Sequence, residues 1–242
     1  MNNLNRPFNI AGQQEQTLPV AKTFLSGVFM WMFLALGITA ATSYVFATAP
    51  SLIGMLINPE TGSMSITGWI VMLAPLGLVL LMSMGFQKMS ASTMVLVFML
   101  YSLLMGASLS FIFLMYTGAS IAKTFLITAS MFGVMAVVGY TTKTDLSKFG
   151  SILMMGLVGI IIASVVNMFM RSGTMDYIIS FLGVLIFTGL TAYDVQKLKR
   201  IGAQMGSEGE MTRKFTIMGA LTLYLDFINL FLFLLRFFGN RR

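Results

Sequence analysis

Seven times along this chain an apolar run of roughly 20 residues recurs, with little or no charge inside it: 23–49, 66–86, 93–115, 120–140, 150–170, 177–195 and 215–238. A helix of that length rises about 30 Å, the thickness of a bilayer's hydrocarbon, and helices or closed barrels are the only backbones that satisfy their own hydrogen bonds there. With 57% hydrophobic and only 10% charged residues, the chain is far more apolar than a soluble domain of 242 residues. The expected fold is an all-α integral membrane protein, a bundle of seven transmembrane helices over residues 22–238. A flexible polar tail is expected at 1–21 and a short basic tail at 239–242. No polar stretch is long enough for a second domain.

The first run is too long for a signal-peptide core. It ends Ala47-Thr48-Ala49, which looks like a cleavage site, but Pro50 stands where the cut would fall, so a retained span is expected. Pro75 is expected to kink the second span, and Gly106, Ala107, Ser108 and Ser110 to let the third approach a neighbour closely. Lys123, one turn inside the fourth span, has reach enough to snorkel to the interface. Residues 51–65 read as a turn-rich loop, 141–148 as a polar loop and 196–214 as the most basic loop. Asn167 lies at the end of the fifth span beside Arg171.

Counting bases by side places Arg6, Lys22, Lys88, Lys143, Lys148 and the five of 196–214 together, against Lys123, Arg171, Arg236, Arg241 and Arg242. That asymmetry puts the N-terminus in the cytoplasm. The basic C-terminal tail would join that side if the last segment were a re-entrant hairpin; its apolar length favours a full span. The net charge of +7 is thereby explained by topology, without nucleic acid, and the 23 scattered methionines as flexible packing rather than copper ligands. With no cysteine and no histidine, there is no thiol chemistry and no ordinary pH switch. A response to pH near neutrality would have to come from carboxylates or the N-terminal amine.

Two carboxylates stand out. Asp194 closes Thr188-Gly-Leu-Thr-Ala-Tyr-Asp194 on the sixth span, and Asp226 lies inside Leu223-Tyr-Leu-Asp226-Phe-Ile-Asn229 on the seventh. A carboxylate at a transmembrane helix centre costs about 2.5–3.5 kcal/mol on insertion scales, so it is seldom kept without a partner or a task. Gly219, Thr222, Asp226, Asn229 and Phe233 follow at three- and four-residue steps and share a helix face. Thr191 lies one turn before Asp194 and makes that face more polar. The two acids meet only if the sixth helix projects its basic end beyond the hydrocarbon, or the seventh begins before it. If they meet, two like charges at close range cannot both ionise cheaply and the pair shares a proton. Once deprotonated it offers a hard oxygen site suited to Ca²⁺, with Asp194 and Asp226 as the metal-facing groups.

Phe187-Thr-Gly-Leu-Thr-Ala-Tyr-Asp194-Val-Gln-Lys197 and Leu221-Thr-Leu-Tyr-Leu-Asp226-Phe-Ile-Asn229-Leu-Phe231 resemble the last two helices of the Bax inhibitor-1 family, also called the transmembrane Bax inhibitor motif family. The loop Thr142-Lys-Thr-Asp145-Leu-Ser147 resembles that family's fourth-to-fifth helix connection. The resemblance covers roughly residues 20–238, and the short loops look like those of a bacterial member. It implies a seven-helix bundle with the last helix central, in a bacterial inner membrane. It also implies a pH-sensitive Ca²⁺ leak with Asp194 and Asp226 as the proton-sensing pair, Thr191, Thr222 and Asn229 as supporting polar groups, and no resident cofactor. Some members latch the pore with an arginine and an acid on the second helix. Residues 66–86 hold neither, leaving Lys88 at that helix's end, and Asp145 in the loop, as stand-ins.

Two further functions fit the residues. A regulatory membrane protein would bind other membrane complexes, such as a quality-control protease, with the aspartates structural; some bacterial relatives suggest this. An intramembrane aspartyl protease would also pair aspartates on neighbouring spans. The second site reads Leu-Tyr-Leu-Asp226, however, and not the Gly-x-Gly-Asp of such enzymes, so a non-enzyme is expected.

Overall fold

A computed structural model describes residues 10–58, 61–205 and 209–240, with the side chains of 10–19 outside the description. Its helices are α1 (Ile10–Thr48), α2 (Pro50–Leu56), α3 (Ile66–Gly85), α4 (Ala91–Leu109), α5 (Phe111–Met115), α6 (Gly118–Thr141), α7 (Ser147–Met170), α8 (Gly173–Gln204) and α9 (Glu210–Phe238). Seven stretches are long and apolar enough to cross a membrane, α4 and α5 together forming one of them. The molecule is an all-α bundle of seven candidate spans.

Four span starts follow from side-chain chemistry. Ser65, Ser90, Thr117 and Ser172 each accept a hydrogen bond from the backbone N–H three residues on, at 3.0, 3.2, 3.3 and 3.3 Å. Each satisfies one of the donors a helix start leaves open. α7 ends at Arg171 in the left-handed conformation (φ 52°), and the Asn167 side chain accepts from the Ser172 N–H at 3.0 Å. Asn167 is thus a helix-end residue.

The centre of the bundle is α9. It packs against α8, α1, α6 and α4, and its buried face includes Leu223, Tyr224, Leu230 and Leu234. As one unbroken helix of 29 residues it spans about 44 Å at 1.5 Å per residue, so it crosses rather than turning back. Cross-ties at its two ends agree. Lys214 donates to the Gln87 carbonyl at 3.4 Å beside the α3–α4 turn, while Arg236 pairs with Asp176 at the start of α8 at 3.2 Å. The close approach expected at Gly106 occurs between α1 and α4. A Cβ there would lie 2.7 Å from the Thr39 carbonyl oxygen and from Thr42, so only glycine admits that spacing.

Several boundaries differ from the sequence reading. α1 begins at Ile10, so the second half of the supposed flexible tail is helical; its Gln, Glu and Ala residues are compatible with helix, and residues 1–9 lie outside the described residues. The loop at 51–65 contains α2 and an antiparallel bridge between Ile57 and Met64. α3, by contrast, covers Ile66–Gly85 with Pro75 inside it, close to the expected 66–86. The basic loop is largely helix, since α8 continues to Gln204 and α9 starts at Glu210. Hydropathy ends at the membrane interface, but helical hydrogen bonding need not.

Candidate functional site: an aspartate pair in a cleft beside α9

Because α8 and α9 both continue as helix into their polar, connected ends, Asp194 and Asp226 are each carried well inside a continuous helix. The two carboxyls come within hydrogen-bonding reach of one another. Asp194 is 8% exposed and Asp226 5%. The Asp226 Oδ2 atom is buried with no hydrogen-bond partner. Among the described residues the same holds for the Ser43 and Tyr101 hydroxyls.

Both aspartates line a cavity of about 680 Å³ between α7, α8 and α9. Thr222, Asn229 and Phe233 line it too, as their shared helix face requires. Asn229 is held by its amide nitrogen, which donates to the Leu225 carbonyl at 2.8 Å, and Thr222 by its hydroxyl, which donates to Met218 at 3.0 Å. Gly219 does not reach the cavity; it packs against Leu198 and Val28. Nor does Thr191, which is wholly buried with its hydroxyl donated to the Phe187 carbonyl at 2.8 Å. Thr191 is thus held within its own helix, since a threonine one turn before an acid is as able to bond its own backbone as to face a cavity.

The supposed latch residues lie elsewhere. Lys88 is exposed at the end of α3 and does not line the cavity. Asp145 is an exposed loop residue paired with Arg200 at 2.7 Å. The Ser147 backbone N–H, at 2.9 Å, and the Arg200 guanidinium hold its carboxyl well below the usual carboxylate range. The charged group that does approach the aspartates is Lys197, one turn along α8 and 5.9 Å from the Tyr193 ring centre. Asp194 and Asp226 form no cluster with a third acid among the described residues, so a cation wanting six to eight oxygens would take water or neutral side chains as well.

Sequence reading passed over two sets of residues. Gln196, placed in a loop, is buried and clamps the α6–α7 connection: its Oε1 accepts from Leu146 N–H at 2.9 Å and its Nε2 donates to the Thr144 carbonyl at 2.8 Å. On the opposite side of α9, Thr39 donates to the Ser102 carbonyl at 2.9 Å and lies 2.7 Å from the Tyr224 hydroxyl. With the Thr39 proton so used, Tyr224 is the donor in the second bond. Tyr224 stands two residues before Asp226 in the motif, and that spacing on a helix would have marked it as facing away from the acid.

A family model described as inhibitor of apoptosis-promoting Bax1 matches residues 21–242. Among curated proteins, the inner membrane protein YbhL of Escherichia coli is 48% identical over 222 residues, covering 91% of this chain and 93% of that one. An uncharacterized protein of Borreliella burgdorferi is 46% identical over 230 residues, covering 95% and 97%. Another from Rickettsia prowazekii is 43% identical over 221 residues, covering 91% of each.

Proposed function

From the premise that the chain belongs to the Bax inhibitor-1 family, we propose that it is a pH-sensitive leak pathway for Ca²⁺ in a bacterial inner membrane, gated by the proton shared between Asp194 and Asp226. The observation that carries this reading is the meeting of two carboxyls from successive spans, shielded from bulk solvent, with one oxygen unpartnered. In this reading one proton shared between them keeps the pair at a single charge. Loss of that proton leaves two negative charges at close range, which repel one another and attract a hard cation. The charged or titratable groups that face the pair in its cavity are Lys197 and Tyr193, both from α8; the α7 and α9 lining adds no further charge. Repulsion across the α8–α9 contact loosens the central pair of helices, the most direct way to open a path.

In this reading Ca²⁺ and protons are cargo and signal, no resident cofactor is needed, and the protein is not an enzyme. The N-terminus and the α8–α9 connection lie on the cytoplasmic side, where the basic residues gather. The test is Ca²⁺ flux into proteoliposomes across pH 5–8 for the wild type, Asp194→Asn and Asp226→Asn. Flux that varies with pH in the wild type and is flat in either variant is the expected result. A pH profile unchanged in both variants would reject the role. Cleavage of a reporter helix that depends on both aspartates would instead favour a protease.

A further inference from the structure

The cavity around the aspartates has an open side. On α7 its wall includes Met154, Ile161 and Val165, which are 49%, 54% and 52% exposed on the outside of the bundle. α7 and α9 both line it, yet α7 leans chiefly on α8 and leaves a slot between itself and α9. At this depth the outside of the bundle meets hydrocarbon. From Met154 to Val165, eleven residues on, the slot runs about 16 Å at 1.5 Å per residue, close to one leaflet's share of a 30 Å core.

The slot's basic end carries Lys197. Several cations at that end are committed: Arg200 to Asp145, Lys199 to the Tyr140 carbonyl at 2.7 Å, and Lys214 to the Gln87 carbonyl and the Phe86 ring. Lys197 lies 5.9 Å from the Tyr193 ring centre and near Asp194, but makes no salt bridge among the described residues, and at the end of an apolar slot its exposed ammonium can meet an anion. A partner helix would want small residues to approach closely. The slot wall instead presents Leu157, Ile161, Val165, Leu225 and Phe233, bulky groups with irregular gaps that suit a flexible chain.

We propose that this slot binds one membrane phospholipid, its acyl chain lying between α7 and α9 and its phosphate against Lys197. Seated there, the chain closes the lipid-facing side of the aspartate cavity. The binding claim does not depend on the ion pathway and is tested without ions.

Native mass spectrometry of the detergent-purified chain, titrated with phosphatidylglycerol, reads the binding directly. The wild type is expected to hold one lipid more tightly than any further ones. Ile161→Trp, which fills the slot, should weaken that first lipid at least tenfold. Ile162→Trp, its outward-facing neighbour, should leave it unchanged, and Lys197→Gln should weaken it several-fold. Inorganic phosphate at equal concentration should not displace it. Equal binding in the two tryptophan variants, displacement by phosphate, no effect of Lys197→Gln, or a lipid-free dimer in place of the lipid-bound monomer would each overturn the proposal. Should Ile161→Trp fail to fold, Val165→Cys decides, because the chain has no other cysteine. Its labelling by a bilayer-soluble maleimide should slow on adding phosphatidylglycerol while that of Ile162→Cys does not, and equal slowing would count against the site.

Discussion

On one side of α9, Tyr224 hydrogen-bonds Thr39 across to α1, and its ring packs edge-on against Tyr101 of α4 with centroids 5.3 Å apart. On the other, two residues along, Asp226 meets Asp194 beside an open cleft. Both sides bury polar groups at membrane depth, but they solve the problem differently. The hydroxyl side is neutral and closed, and its hydrogen bonds run through three helices in the order Tyr224, Thr39, Ser102. The carboxyl side keeps space and charge beside an open cleft. Changes on the hydroxyl side should therefore move stability and spare the pH response, and changes on the carboxyl side should do the reverse.

The largest stability effect belongs where α1 meets α4. Gly106→Val drives carbon into the Thr39 backbone, which cannot yield as a side-chain tip can, and should lower stability by about 3 kcal/mol. It should also part Thr39 from Ser102. Thermal unfolding in detergent measures it, and a loss below that of Tyr224→Phe would mean the two helices are not held by this contact. Next comes Asp226→Leu. It removes a buried oxygen that has no partner, so stability should hold or rise, by about 1–2 kcal/mol, while the pH response of flux disappears. A marked loss of stability would make Asp226 a structural cross-tie and erase the contrast between the two sides.

The carboxyl side was readable from the sequence because its cost is conspicuous: an acid inside hydrocarbon is rare enough to demand an explanation. The spans were readable for a similar reason, through apolar length. The hydroxyl side was not. Tyrosine, threonine and serine are cheap in a membrane helix, and periodicity tells which residues share a face but not which helix that face will meet. The C-terminal end of α8 was misread as loop because Lys197, Lys199, Arg200 and Gln204 are polar, although nothing among them breaks a helix. That extension lets Asp194 and Asp226 meet, so the question of depth was settled by residues that hydropathy discounts.

Within the hydroxyl side, two tyrosines sharpen the rule. Tyr224→Phe deletes the bond to Thr39 and should cost about 1 kcal/mol. Tyr101→Phe deletes a hydroxyl that is buried without a partner, and should cost nothing or stabilise slightly. Chemical or thermal unfolding of the two variants side by side checks the sign. Equal losses would show that the Tyr101 hydroxyl is bonded, through an internal water for example, and that the closed side is wetter than its packing suggests.

The smallest effect lies outside the membrane, at the clamp on the α6–α7 connection. Asp145 is exposed, so its pairing with Arg200 is heavily screened and should contribute little beside the buried Gln196 bonds. Its carboxyl is held below the ordinary range in the folded chain. A depressed value of this kind gives stability that is fully present above the unfolded value, roughly pH 4, and is lost as pH falls toward the folded one. Asp145→Asn should accordingly lower the melting temperature slightly at neutral pH, with the difference from wild type shrinking below about pH 4. Because the group is fully charged from pH 5 to 8, the variant should leave the pH profile of flux where it was. A profile displaced in that range would make the clamp part of the proton response, and would move the boundary between the molecule's cohesive and responsive regions from α9 to the α6–α7 connection.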